Sequence, residues 1–277
     1  MAFKLGDIII DRLQFGYGAT KNGVPLYALT QLSEMSIEVT ADSSDIKDKD
    51  GNLVYRKYNG KTAEVNGTNT FVNLAVIETL SATDAEIATA DNKIKMPYIA
   101  TVKAGEKLDI TGYVKDSVSV SALYNGAMGE TYTLATGDAA TAKEFVIKHT
   151  DAVNTPPENK VPAKDELIPP TADGEVEFIV KYTKEVASGT KIVNSADKYP
   201  KAHELFFKAL AIDPCDKENF KPVIIRIPSF IPSPELTLSL QGGDSQTMDY
   251  KGAILADTCS SDKVLFEVYF IDEDEEA

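Results

Sequence analysis

Met35-Ser-Ile-Glu-Val-Thr40, then Asp50-Gly51, then Leu53-Val-Tyr-Arg-Lys-Tyr58: this stretch decides the fold. A run alternating apolar and polar residues enters a long polar hairpin, turns at Asp50-Gly51 and returns through Leu53–Tyr58. Asn59-Gly60 and Asn66-Gly67 follow, and an apolar run from Phe71 to Leu80 closes the segment. Asp-Gly and Asn-Gly accept the positive φ angles of tight hairpin turns, so the stretch predicts β-structure with turns at all three dipeptides. Its charge is unusual. Residues 46–61 carry Lys47, Lys49, Arg56, Lys57 and Lys61 against only Asp48 and Asp50, in a chain whose net charge is −15. A long basic arm on an acidic body has the chemistry of an assembly contact, not of an active site.

The surrounding sequence supports a β protein with a substantial core. Apolar residues make up 43% and charged residues 26% of the 277, as in ordinary globular domains. Short period-two runs recur: Val176, Phe178, Val180 and Tyr182; Leu205, Phe207 and Ala209; Val223, Ile225 and Ile227; Leu236, Leu238 and Leu240; Val264, Phe266, Val268 and Phe270. Each is bounded by Gly, Pro, Asn or Asp, the pattern of antiparallel sheets packed as a β-sandwich or partly closed barrel. Helix is expected only at 70–81 and, more briefly, at 84–90. Residues 150–174 hold Pro156, Pro157, Pro162, Pro169 and Pro170, which predicts an extended surface segment unable to pair in a central sheet. Composition therefore divides the chain into a principal β core from residues 1–94 and 196–277 and an inserted β region at 95–195.

Charge and missing motifs narrow the function. The acidic balance argues against a protein that binds nucleic acid by neutralising phosphates. No apolar run is long enough to span a membrane, and the first residues lack the pattern of a secretion signal, so a soluble chain made in a cytoplasm is expected. Cys215 and Cys259 are isolated from each other and from histidine; they read as free, partly buried thiols, with a disulfide as the alternative. His149 and His203 are expected on solvated faces, and no spacing builds a catalytic constellation around either. Asp48-Lys-Asp50-Gly51 fails as a calcium loop because Ile46 and Lys57 stand where ligands are needed. Gly16-Tyr-Gly18 lacks the Gly-Lys-Ser/Thr ending of a phosphate loop, and Asn66-Gly-Thr68 reads as a turn. No catalytic residue, metal site or cofactor is expected, and the chain does not read as an enzyme. The acidic end, Asp272, Glu273, Asp274, Glu275 and Glu276, opposes the basic arm in sign and is its candidate counterpart on a neighbouring subunit.

In the order of its elements the chain resembles the major tail tube proteins of tailed bacteriophages, a family shared with contractile injection systems. The resemblance rests on the Met35–Thr40 strand, the Asp50-Gly51 hairpin, the strand returning through Glu64 and the helix-like Phe71–Leu80. At the other end it rests on Ser233–Leu240, Thr247–Tyr250 and Val264–Phe270. It covers 1–94 and 196–277 and leaves 95–195 aside. It implies a β-sandwich or half-barrel subunit, six of which close a ring. Stacked rings would then form the tail tube of a virion assembled in the host cytoplasm. The hairpin would reach the adjacent ring, and the lumen would hold a tape-measure protein and later conduct DNA, with a tail sheath as a further partner. A capsid decoration or neck protein is the alternative within virion proteins. A carbohydrate-binding β-sandwich is the alternative outside them, although the chain has no tryptophan to build a sugar platform.

Overall fold

The computed structural model describes residues 7–155, 159–172, 176–214, 216–237, 247–257 and 262–271. Its first strands are β1 (Ile9–Ala19), β2 (Pro25–Leu29), β3 (Leu32–Lys47) and β4 (Leu53–Asn69), followed by α1 (Leu74–Ser81). An inserted series follows: β5 (Glu86–Ala88), β6 (Ile94–Lys103), β7 (Leu108–Asp109), β8 (Ser119–Tyr124), β9 (Ala127–Leu134), β10 (Glu144–Thr150), β11 (Val153–Thr155), β12 (Asn159–Val161), β13 (Lys164–Ile168), β14 (Glu177–Val186) and β15 (Gly189–Lys191). The chain then adds β16 (His203–Asp213), β17 (Asp216–Pro232), β18 (Met248–Ile254) and β19 (Glu267–Phe270). The protein is mainly β, as the period-two runs predict.

Two compact units result, one from Met1–Ala85 with Ile192–Ala277 and the other from Glu86–Lys191. In the first, eight strands form a barrel-like, nearly closed sheet in the order β2-β1-β16-β17-β18-β4-β3, with β19 also on β17. Its inner face carries Leu29, Val65, Leu205, Phe207, Ile227 and Phe230, all fully or almost fully buried. Helix α1 adds Val76 and Leu80 to this core. The helix starts at Leu74, not Thr70, because Asn73 is its N-cap: its Oδ1 accepts from the amides of Ala75 (3.0 Å) and Val76 (3.3 Å). Its Nδ2 donates to the Ala28 carbonyl (2.8 Å), which ties the helix start to β2.

The second unit has its own core, with Phe145, Leu167, Phe178, Val180 and Tyr182 among its buried residues. Its main sheet runs β6-β14-β8-β9-β10-β13-β7. The short β5 and β15 pair through Gly189 with Ala88 and Lys191 with Glu86, bringing the two ends of the insertion side by side.

Several sequence expectations are corrected. Residues 86–88 form a strand, not a helix, and pair with β15. The proline-rich segment does enter a sheet: β13 is paired on both sides, with β10 and β7, and Leu167 is fully buried. The prolines flank this five-residue strand and leave its amides free to bond. Asn59-Gly60 and Asn66-Gly67 both lie within β4 and are not turns. Asn59 is the extra residue of a β-bulge, since Asp42 faces Gly60 while Ser43 faces Tyr58. At Gly67 the backbone passes the Glu34 carbonyl so closely that an added Cβ would lie 3.2 Å from its oxygen. The last strand spans only Glu267–Phe270, and Glu235–Thr237 are not in a strand. The rest of the Leu236–Leu240 alternation, Cys215, Cys259 and the acidic end at 272–276 lie outside the described residues.

Candidate assembly surface

The β3–β4 ladder changes character partway along. From Leu32 to Ile37 its partners include Val65 and Asn69, both buried, and Ala63, opposite Val39, is the last buried residue. Every residue from Thr40 to Thr62 is exposed, on both faces of the ribbon. A two-stranded ribbon without a packed face is marginal in water, so local contacts must hold this arm.

Those contacts are visible at the turn. Asp48 Oδ1 accepts from the amides of Asp50 (2.9 Å) and Asn52 (2.8 Å), and Oδ2 accepts from Asn52 Nδ2 (3.0 Å). The Asn52 bonds, joined by the Asp50 and Gly51 amides, hold the Asp48 carboxyl below its ordinary range. Gly51 sits at φ +87°, the left-handed conformation that glycine adopts without strain. The sequence pair Asp50-Gly51 therefore does form the turn, and the carboxylate that resembled a calcium ligand is committed to backbone amides. Farther down, Arg56 grips Asp45 across the ladder in a two-pronged pair, Nε to Oδ1 at 2.7 Å and Nη2 to Oδ2 at 3.0 Å. The hydrogen bonds from Arg56 lower the pKa of Asp45 and raise that of the guanidinium. Thr40 and Thr62 hydroxyls meet at 2.7 Å, and Asn59 Nδ2 donates to Ser44 Oγ at 3.2 Å.

This geometry revises the charge of the arm. Lys47, Lys49, Lys57 and Lys61 are exposed, and none forms an ion pair among the described residues. Arg56 is neutralised by Asp45. Over 40–62 the arm carries five cations and four carboxylates, because the window 46–61 omits Asp42 and Asp45 on the outgoing strand. The feature that charge counting misses is apolar. Ile46, Leu53, Val54, Tyr55 and Tyr58 are each more than half exposed. The signal was present in Leu53-Val-Tyr55, an apolar run without the alternation of a strand packed on one face. Exposed apolar groups concentrated in this way mark a contact surface.

A second polar constellation lies inside the barrel and has a different role. His203, expected on the surface, is buried. Its Nδ1 bonds the Lys201 carbonyl (3.1 Å), which places the proton on Nδ1 and leaves Nε2 to accept from Tyr27 Oη (2.6 Å). Tyr27 Oη in turn accepts from Tyr250 Oη. Burial pushes the His203 pKa down and both tyrosine pKa values up, so all three groups are neutral. The chain of donors is fully satisfied and fastens β2, β16 and β18 together. His149 is exposed, as expected, with Nδ1 2.6 Å from Asp165, and that bond raises its pKa. Among the described residues no group of three or more His, Cys, Asp or Glu side chains is placed to hold a metal ion. No helix among them is long and apolar enough to cross a membrane.

The model of the YomU/Tube protein family matches residues 9–267 of the chain. No curated protein matches it.

Proposed function

We propose, from the premise that the chain belongs to the YomU/Tube protein family and is thus a phage tube-like structural protein, that it is the major subunit of a phage tail tube. Copies close rings through their sheets, six to a ring as the family resemblance implies, and rings stack into a conduit for DNA. The observation that supports this reading is the arm: a paired ribbon from Thr40 to Thr62, exposed on both faces and carrying five exposed large apolar side chains. Such a ribbon gains no burial within its own subunit, so a partner must supply it. The net charge of −15 suits a conduit from which DNA has to slide free, because like charge opposes adhesion. A tape-measure protein within the lumen, and a sheath outside it, complete the proposed set of partners.

The test is electron microscopy of the purified protein at rising concentration, beside a variant in which a short Asn-Gly turn replaces residues 41–61. Native protein is expected to form rings and stacked tubes. The shortened variant is expected to keep its circular dichroism and to stop at single rings. Native protein that remains monomeric throughout, or shortened protein that still forms tubes, refutes the proposal.

A further inference from the structure

The two ends of the β3–β4 ladder are both apolar and both uncovered. At one end are Ile46, Leu53, Val54 and Tyr55, around the pairs Ile46–Tyr55 and Lys47–Leu53. At the other end Leu32 pairs Asn69, and the chain continues directly into Phe71, Val72 and Leu74, all exposed. Phe71 and Leu74 are 60% and 57% exposed, although the helix they lead into sends Val76 and Leu80 into the core. At about 3.3 Å per residue, the sixteen residues of β3 separate the two ends by about 50 Å. One copy therefore cannot cover its own patch with its own arm.

The two rims also differ in charge, mixed at the arm tip and acidic at the Phe71 end. The arm tip carries Lys47, Lys49 and Asp50 beside Asp48, whose carboxylate is taken up by the turn, and neither lysine is ion-paired among the described residues. Beside the Phe71 end, one row of the sheet sets Glu34 opposite Thr68 and Thr68 opposite Asp249. Both carboxylates are exposed, and neither forms an ion pair among the described residues. Apolar centres with unpaired lysines at one rim and unpaired carboxylates at the other are the arrangement of a specific protein contact. A two-fold contact of tip on tip would engage neither the Phe71 end nor its carboxylates. A head-to-tail contact sets lysine against carboxylate, and it repeats without closing, which is the symmetry of a filament.

We infer that the arm tip, through Ile46, Leu53, Val54 and Tyr55, docks on the Phe71–Leu74 surface of a second copy of this chain, with Lys47 and Lys49 facing that copy's Glu34 and Asp249. The inference rests on the tube reading and names the receiving surface for the arm. A photo-crosslinking phenylalanine analogue in place of Tyr55 tests it in assembled protein, with the crosslinked peptides identified by mass spectrometry. The expected product joins the analogue to the segment containing Phe71–Leu74 of another copy. The Phe71→Ser/Leu74→Ser variant should retain rings and lose stacking by at least about tenfold, as expected when an interface loses large apolar anchors. Crosslinks found only elsewhere, in protein that does form tubes, overturn this inference and leave the tube reading standing. Native protein that never forms rings or stacks overturns both. Should the double variant fail to fold, the crosslink map alone decides between these outcomes.

Discussion

The two halves of the β3–β4 ladder share strands, pairing and direction, yet they obey different physics. In the inner half Val65 lies in the core, and a shift of register by one residue would expel it. In the outer half no side chain is buried, and the ribbon stands on the Asp48 turn, the Arg56–Asp45 grip and the Thr40–Thr62 contact. The inner half thus sets the register and the outer half inherits it. Apolar side chains stabilise the subunit in one half and stand exposed in the other.

The strongest way to break this contrast is to truncate a buried ring. Phe230→Ala, at a fully buried position of the barrel, should cost about 3–5 kcal/mol in urea unfolding. A loss similar to that of an arm variant would mean that the barrel core is not what holds the ladder. A smaller effect is expected from Tyr27→Phe, which leaves the His203 Nε2 without a donor and Tyr250 O–H without its acceptor. About 1–3 kcal/mol should be lost, measured in the same way.

The histidine also sets a pH dependence. Because the folded pKa of His203 is lowered, the unfolded chain takes up the proton first, so its contribution is complete above 6.5 and declines as pH falls below that value. Thermal melts from pH 7.5 to 5 should show this slope, and His203→Gln should flatten it. An unchanged slope would assign the acid sensitivity to other groups. The smallest effect belongs to the arm: Leu53→Ser with Tyr55→Ser should alter subunit stability by less than about 0.5 kcal/mol while abolishing stacking. A large loss of stability there would show that the arm packs on its own subunit.

The sequence was legible where local chemistry acts alone. Asp50-Gly51 makes the predicted turn, and the alternations at Leu205–Ala209 and Val223–Ile227, with all but the first residue of Val176–Tyr182, fall in strands. It misled where one local signal serves two geometries. Asn-Gly suits a turn, yet at Asn59-Gly60 it accommodates a bulge, and at Gly67 the absent side chain admits the backbone of β3. It was silent where the decisive partner is remote. Lys-Ala-His-Glu looks solvated, but the hydroxyl that makes burial of His203 tolerable comes from Tyr27, 176 residues earlier. Proline content likewise obscured β13, whose burial depends on β10 and β7 on either side. In the candidate surface, the lysines were found by counting. The apolar tip emerged only once each side chain could be seen to lack a neighbour.

Strand order carries a consequence for timing. Ile9 at the start of β1 pairs Ile212, and Ala63 on β4 pairs Ile254, with the whole Glu86–Lys191 unit made in between. Strands β16 to β18 are synthesised after the whole inserted unit, so the barrel cannot close until that unit has been made. Contacts this distant along the chain make folding slow. A growing polypeptide can already display the β3–β4 hairpin before it has a finished barrel. In the proposed tube, ring entry therefore has to wait for β16 to β18, however early the arm is exposed.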